Sequence, residues 1–154
     1  MGIEGYPREE VEENIVGYAR QLYEEGYLKE AIDHLYQMKW PDNFQVLSNL
    51  YVCFLKDCVK TKALEEGKRI HGHIYAIGFK PNIFIENHLT NMYAKCGSFC
   101  LARQVFDQMS VRNSFSWNNM IAGYAKCGSV DYARQLFEKI LKHDVVSWNV
   151  MIAA

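Results

Sequence analysis

The sequence lacks an excess of charge of either sign. Its 17 lysines and arginines balance 18 aspartates and glutamates, so its formal net charge is −1 at pH 7. A domain that binds a polyanion over its whole surface is strongly basic. The composition excludes that arrangement, so any face that binds a nucleic acid must be local.

Long apolar runs are also missing, although 49% of the residues are hydrophobic and 14% are aromatic. The longest apolar runs hold only a few residues, far short of the roughly 20 that a membrane-spanning helix needs. We therefore predict a packed core and no membrane segment. The acidic start, MGIEGYPREEVEEN, lacks the pattern of a secretory signal or a transit peptide. The end, VVSWNVMIAA, stops within a recurring pattern, from which we expect a fragment of a longer protein.

Cysteines are odd in number, and they lack the dense, even spacing of a secreted disulfide framework. A reducing compartment is therefore expected. Cys96 and Cys100, with His88 nearby, raise the question of zinc. Their C-x-x-x-C spacing crosses a predicted helix break, and no second pair follows at the spacing of a structural zinc site. The five cysteines are Cys53, Cys58, Cys96, Cys100 and Cys127. We predict no metal ion or other cofactor, and we expect buried or half-buried packing thiols at Cys96, Cys100 and Cys127.

Catalytic motifs are missing as well. A nucleophilic site needs Cys or Ser beside a His that a third group orients, and nothing in the sequence singles out such a trio. The HGH of residues 71–73 lies on a predicted helix, where a packed or solvated role is expected. No GxGxxG or GxxxxGK[ST] phosphate loop occurs either.

What the sequence does contain is an internal repeat. MYAKCGS at 92–98 returns as GYAKCGS at 123–129, and the same shift of 31 residues carries the SWN of 116–118 onto that of 147–149. Looser matches upstream extend the period to 35 and 36 residues. A period of this length predicts stacked supersecondary units.

Each unit has the pattern of a helical hairpin. Trp117, Met120, Ile121 and Tyr124 follow the i, i+3, i+4, i+7 spacing of an amphipathic helix. A second stripe runs over residues 99–109. Two helices per unit, with no alternating strand pattern, predict an all-α fold, a right-handed α-solenoid of helix-turn-helix repeats.

The turn and the helix crossing also have recurring residues. Gly97 and Gly128 stand where the first helix must end in a left-handed conformation. The serines that follow them, Ser98 and Ser129, are expected to cap the second helix. A small residue recurs early in each second helix, where we predict that the two helices of the unit cross closely; these residues are Ala31, Gly67, Ala102 and Ala133.

Three stretches, NMYAKCGSFCLARQVFDQM, SFSWNNMIAGYAKCGSVDYARQLFEKI and DVVSWN, closely resemble pentatricopeptide repeats of the plant organellar type that mixes long, short and standard repeats. Tetratricopeptide repeats share the period but not YAKCGS or SWN. The resemblance divides the chain into a lead-in at 1–11, a degenerate standard repeat at 12–47, a long repeat at 48–82, short repeats at 83–113 and 114–144, and a truncated repeat at 145–154.

The resemblance implies that single-stranded RNA binds along the first helices, one repeat per base, with the N-terminus toward the RNA 5′ end. Two residues of each repeat recognise the base. They correspond to Asn87 with Asn113, to Asn118 with Asp144, and to Asn149 with a partner beyond the chain. Family usage associates Asn and Asp with U, and Asn and Asn with either pyrimidine, so the expected site is pyrimidine-U-pyrimidine.

The resemblance assigns further roles around these pairs. Phe84, Phe115 and Val146 match the position that packs against bases. Lys60, Lys95 and Lys126 end equivalent first helices, where they either contact phosphate or complement the helix dipole. The long repeat offers Val52 with Asn82, and the first repeat offers Val16 with Leu47, so neither has an amide pair for a base.

The resemblance further implies a plant organellar RNA-processing protein in the mitochondrion or chloroplast, most often a C-to-U editing specificity factor. The deaminase signature of such proteins, H-x-E with P-C-x-x-C, is absent from this sequence, so we predict that the chain is not an enzyme. Multiple organellar RNA editing factor proteins are expected partners of the long repeat. The uncapped C-terminal end predicts self-association. A helical scaffold that binds proteins is the alternative function.

Overall fold

A computed structural model describes residues 8–37, 44–78 and 80–139 of the chain. All regular structure in these residues is α-helical. The helices are α1 (Arg8–Glu24), α2 (Leu28–Leu35), α3 (Phe44–Thr61), α4 (Leu64–Ala76), α5 (Ile83–Lys95), α6 (Phe99–Gln108), α7 (Ser114–Lys126) and α8 (Val130–Lys139). Within this part of the chain, no helix is long and apolar enough to cross a membrane.

The helices pair as four consecutive hairpins that stack on one another. The pairs α1–α2, α3–α4, α5–α6 and α7–α8 pack within themselves, and α1, α3, α5 and α7 pack in succession as one layer. Helix α2 also packs on α4, and α4 packs on the next first helix, α5. This arrangement confirms the predicted α-solenoid.

Short turns end the first helices in the way that the glycine pattern predicts. Gly97 and Gly128 have φ angles of 86° and 78°, in the left-handed region. One residue later, the Ser98 N–H donates to the Tyr93 carbonyl at 2.8 Å, which satisfies an end carbonyl of α5. The turn after α3 places Lys62 at the same position with a φ of 57°, so the geometry persists there without glycine.

The predicted cap by the Ser98 side chain is wrong. Ser98 precedes α6, but its side chain makes no cap hydrogen bond. Its backbone N–H already closes the preceding helix, and this tight turn holds the residue at φ −102° and ψ 70°. Asn82 and Asn113, which precede α5 and α7 after longer connections, have extended backbones, and their side chains do cap.

The small residues of the second helices are buried, as predicted. Ala31, Ala102 and Ala133 are 0% exposed. At Gly67 the position of the close contact differs from the prediction, because the three atoms nearest to an added Cβ all belong to Met92 of α5. The Met92 Sδ atom would lie only 2.4 Å away. The tight contact at Gly67 therefore lies between two hairpins and not at the crossing of the two helices within one hairpin.

The first helices begin before some of the predicted repeat boundaries. Helix α3 starts at Phe44, one turn before the boundary at residue 48, and α1 starts at Arg8, before residue 12. Helices α5 and α7 start at Ile83 and Ser114, the first residues of the two predicted short repeats. The boundaries themselves stay predictions. Residues 145–154, with Val146 and Asn149, and also Asp144, lie outside the described residues.

The HGH stretch has a packing role. His73 is 2% exposed, and its Nε2 lies 2.8 Å from the Leu35 carbonyl oxygen. Because that oxygen only accepts, Nε2 carries the proton, and Nδ1 accepts from the Tyr51 hydroxyl at 2.6 Å. His71 Nδ1 lies 2.6 Å from the Tyr93 hydroxyl oxygen. Burial lowers the pKa of both histidines, so they join helices as neutral side chains.

The cysteines divide into two groups. Cys58 is buried and Cys96 half-buried, and the Cys96 thiol donates to the Cys58 carbonyl at 3.4 Å. Burial raises the pKa of Cys58 to about 12. Cys53, Cys100 and Cys127 are exposed, so the expectation of packing thiols is wrong for Cys100 and Cys127. Over the part of the chain that the structure describes, no three His, Cys, Asp or Glu side chains form a group that could hold a metal ion.

Candidate nucleic-acid interface

Asparagines begin two of the first helices. Asn82 precedes α5, and its side chain accepts from the Ile85 N–H at 3.0 Å. Asn113 precedes α7, and its side chain accepts from the Ser116 N–H at 3.1 Å. Each carboxamide oxygen thus satisfies one of the free N–H groups at a helix start. The residue that closes a predicted repeat is therefore also the N-cap of the next first helix.

The structure brings together the predicted pair Asn87 and Asn113. These residues are 26 positions apart in sequence, and Asn87 Nδ2 donates to Asn113 Oδ1 at 3.1 Å. Asn87 lies one turn into α5 and is half-buried, whereas Asn113 is exposed. The two carboxamides form a contiguous polar surface between the starts of α5 and α7. Such amides offer both donors and acceptors to a base edge.

Ser116 belongs to the same group of side chains, although the sequence analysis did not assign it a role. Its hydroxyl oxygen lies 2.6 Å from Asn87 Oδ1 and accepts from the Asn113 N–H at 3.2 Å. The side chain is 0% exposed. The SWN motif was the available signal, because Ser116 recurs in it together with Asn118.

Two more side chains support the pair from outside. Asn119 Nδ2 donates to the Asn87 carbonyl at 3.2 Å, which joins α7 to α5. The Arg112 guanidinium donates to the carbonyls of Phe106 and Asp107 at 3.0 and 3.2 Å, and it lies over the Phe106 ring at 4.4 Å. Arg112 thereby fixes the loop that carries Asn113.

The second predicted pair is described only in part. Asn118 lies at the fifth position of α7, equivalent to Asn87 in α5, and is 7% exposed. Its predicted partner in base recognition, Asp144 at the end of the same repeat, lies outside the described residues. Asn149, the predicted base-recognising residue of the next repeat, lies outside them as well.

Aromatic rings stand exposed beside the asparagines. Phe84 and Phe115 are the second residues of α5 and α7, and they are 55% and 70% exposed. The Phe84 ring packs edge-to-face with the His88 ring, with centroids 4.7 Å apart. Exposed aromatic rings are the kind of surface on which bases stack in proteins that bind single strands.

Lysines end three of the first helices. Lys60, Lys95 and Lys126 lie in the last turns of α3, α5 and α7, and all three are exposed. The Lys62 ammonium donates to the Lys95 carbonyl at 2.9 Å, adding a fourth positive charge at this edge. The positions suit both predicted roles, since a cation there complements the helix dipole and also remains accessible to phosphate.

The earlier repeats have apolar residues where the short repeats have amides. Val52 and Val16 are 7% and 8% exposed, and Leu47 is 0% exposed. All three belong to the hydrophobic core. An open cleft between the start of α3 and the loop before α5 is lined by none of these three, but by Phe44, Gln45, Ser48, Gly78, Lys80 and Asn82.

Comparison with known proteins finds similarity to one family of repeat proteins. The model of the PPR repeat matches residues 115–145. A pentatricopeptide repeat-containing protein of Arabidopsis thaliana is 39% identical over 77 residues, 50% of this chain and 12% of the relative. Two others from the same plant, one named chloroplastic and one mitochondrial, are 36% identical over 101 residues and 31% over 106. These alignments cover 66% and 69% of this chain.

The chain spans only a small part of these relatives, 11% and 14% of the chloroplastic and mitochondrial proteins. The matched repeat contains α8, all of α7 except Ser114, and the SWN motif of residues 116–118. The stacked hairpins agree with a helical-repeat protein. Together, the matched repeat and these relatives support the assignment of the chain as a pentatricopeptide repeat protein.

Proposed function

We propose that the chain binds single-stranded RNA along the starts of its first helices, as part of an organellar RNA-processing protein. The observation that carries the proposal is the contact between Asn87 and Asn113. Polar amides from the beginning and the end of one repeat meet on the surface, and exposed Phe84 and Phe115 flank them in sequence. Amides that bind base edges, beside rings that stack on bases, are the usual chemistry of single-strand recognition.

Each short repeat binds one base in this proposal. Asn87 with Asn113 recognises C or U, Asn118 with Asp144 recognises U, and Asn149 begins a third site for a pyrimidine. Phe84, Phe115 and Val146 pack against the bases. The RNA runs with its 5′ end toward the N-terminus of the chain.

The ends of the first helices bind the phosphates. Lys60, Lys95 and Lys126 are exposed at equivalent helix ends, so their charges repeat at the spacing of the hairpins. A good bidentate base contact contributes about 1–3 kcal/mol of discrimination. Two or three such sites give modest specificity, and the full specificity belongs to a longer array of repeats.

Within the whole protein, the proposed role is that of a specificity factor for RNA processing, and C-to-U editing is its most specific form. The long repeat at 48–82 then binds organellar editing cofactors. The chain binds RNA without catalysis, and the names of two relatives point to a chloroplast or a mitochondrion.

Fluorescence anisotropy with labelled RNAs of about ten nucleotides tests the proposal, since an array of few repeats contacts few bases. We expect binding to single-stranded pyrimidine-rich RNA and weaker binding to the duplex of the same sequence. The double variant Asn87→Ala with Asn113→Ala should lower the preference for a pyrimidine at one position. Equal binding of single-stranded and duplex RNA would contradict single-strand recognition, and no binding of either RNA would favour the protein-binding scaffold.

A further inference from the structure

We infer that Ser116 is a positioning residue for base recognition. Its hydroxyl, supplied by one repeat, orients the carboxamide of Asn87 in the preceding repeat, so that the amide pair presents N–H donors to an RNA base. The inference rests on the proposed function. It adds that the Asn87–Asn113 pair binds base edges that carry hydrogen-bond acceptors.

The orientation of the two carboxamides follows from a backbone group. The Ser116 N–H only donates, so the Asn113 atom that it meets at 3.1 Å is the oxygen. The same oxygen faces Asn87 at 3.1 Å, and therefore Asn87 directs its amino group toward it. The oxygen of Asn87 is thereby left facing the Ser116 hydroxyl.

The hydroxyl proton of Ser116 also has a defined acceptor. The Asn113 N–H donates to Ser116 Oγ at 3.2 Å, so the hydroxyl accepts from Asn113 and directs its single proton elsewhere. Asn87 Oδ1 lies at 2.6 Å and Asn113 Oδ1 at 3.1 Å, and the shorter distance identifies Asn87 as the acceptor. Because Ser116 is 0% exposed, water does not compete for this proton.

The hydrogen bonds within the protein leave mostly donors for a ligand. Both carboxamide oxygens already accept, the Asn113 oxygen from two N–H groups and the Asn87 oxygen from the hydroxyl. Two N–H bonds of Asn113 and one of Asn87 remain. A surface of this kind complements a base edge with acceptors, such as N3 and O2 of cytosine or the carbonyls of uracil.

At the position of Ser116 in each repeat, a serine occurs where the preceding repeat has an asparagine at its fifth position. The residue equivalent to Ser116 in the preceding repeat, 31 positions earlier, is Ile85. The repeat before Ile85 is the long repeat, whose fifth residue is the buried Val52 and not an asparagine. Residue 147, 31 positions after Ser116, is again a serine, and it follows a repeat with Asn118 at the fifth position. The serine thus accompanies an asparagine in the preceding repeat.

The test uses these repeats within a longer array of fixed specificity, and RNAs that differ only at the base opposite Asn87 and Asn113. Dissociation constants for C, U, A and G at that base give the ratio of pyrimidine to purine binding. We expect Ser116→Ala to lower this ratio by about 2- to 10-fold, the effect of one hydrogen bond. Ser116→Thr, which keeps the hydroxyl, should restore the ratio.

Ser116 also belongs to the N-terminal capping box of α7, and the measured ratio separates the two roles. A purely structural role would weaken binding of all four RNAs alike. If Ser116→Ala does not fold, Ser116→Cys keeps the volume but has only a weak S–H donor, and it should show the same lowered ratio.

An unchanged ratio in a folded Ser116→Ala or Ser116→Cys variant would overturn the positioning role and leave the proposed function intact. If the wild-type array itself showed no preference at this base, both proposals would be refuted, the base recognition by Asn87 and Asn113 and the positioning role of Ser116.

Discussion

The Tyr51 hydroxyl and His73 Nδ1 lie 2.6 Å apart in the core, and His73 Nε2 donates to the Leu35 carbonyl of a third helix. This histidine therefore joins α2, α3 and α4. Its ring is 2% exposed, and both nitrogens are used in the neutral form. Protonation would place a second N–H against the hydroxyl and a charge in the core, which explains why burial lowers its pKa.

The first prediction is a loss of stability in acid. A histidine with a folded pKa below about 6.5, its unfolded value, binds more protons when unfolded. The free energy of unfolding should thus be flat above about pH 7.5 and fall as the pH drops through 6.5 toward the folded pKa. Urea denaturation from pH 5 to 8 measures it. His73→Gln should reduce the slope, and an equal slope in the variant would show that other groups cause the acid sensitivity.

The contact between Gly67 and Met92 gives a second prediction. A Cβ at residue 67 would lie 2.4 Å from Sδ and 2.7 Å from Cε of Met92, which is 0% exposed. We expect Gly67→Ala to cost about 1–3 kcal/mol, the range for overpacking. Thermal denaturation by circular dichroism is the measurement.

Gly17 provides the matched control. It lies within α1, and an added Cβ there would have nothing within 4 Å. Gly17→Ala should stabilise the chain by up to about 1 kcal/mol through helix propensity. If both variants changed the melting temperature in the same direction, the close approach of α4 and α5 at Gly67 would be refuted.

How much of the fold follows from sequence is clear at the turns. Gly97 and Gly128 recur with the period, and a left-handed helix end requires such a residue, so both turns could be predicted. Lys62 adopts the same conformation without glycine. Its ammonium binds the Lys95 carbonyl at the end of the neighbouring first helix. This contact joins two hairpins, so the spacing of residues within a repeat does not predict it.

The candidate site shows the same limit. The resemblance paired Asn87 with Asn113, and the structure brings them together. The role of Ser116 depends on how α5 and α7 are rotated against each other, since its hydroxyl must reach a side chain 29 positions away. The partner of Gly67 likewise lies in the next hairpin. Periodicity predicts positions within a repeat, and contacts between repeats require the packing geometry.

A third prediction concerns the helix ends. Gly97→Ala should cost about 1–2 kcal/mol, because a side chain there must adopt a left-handed conformation. Lys62→Gly relieves the same strain but removes the hydrogen bond to the Lys95 carbonyl, an exposed contact of small energy. We therefore expect Lys62→Gly to raise the melting temperature. A lower melting temperature would show that the lysine contact outweighs the backbone strain.

The lysines provide a fourth prediction. If Lys95 and Lys126 bind phosphate, Lys95→Ala and Lys126→Ala should weaken all RNAs about equally. Each should also reduce the slope of log K against log salt by about 0.7, the value for one phosphate of a single strand. Lys139→Ala, at the end of the second helix α8, is the control and should leave the slope unchanged. A stability loss in Lys95→Ala with an unaltered salt slope would indicate dipole complementation alone.

A fifth prediction is that the cysteines are dispensable. Cys100 is exposed, and Cys96 donates to the Cys58 carbonyl. A serine at position 96 keeps a donor for this carbonyl. Cys96→Ser and Cys100→Ser should retain the fold and RNA binding. Stoichiometric zinc in the purified protein, lost with either substitution, would reverse this conclusion.

The central claim is that single side chains of the short repeats determine base preference, and Asn118→Thr tests it most directly. The variant replaces a carboxamide by a hydroxyl. In repeats that resemble this one, the pair of Thr and Asp is associated with the base G. Dissociation constants should be measured for RNAs with U or G at the second base, with the repeats embedded in a longer array. We predict that the preference changes from U to G at that base and stays unchanged at the first. An unaltered preference in a folded variant would contradict base recognition by these repeats and leave the protein-binding scaffold as the better account.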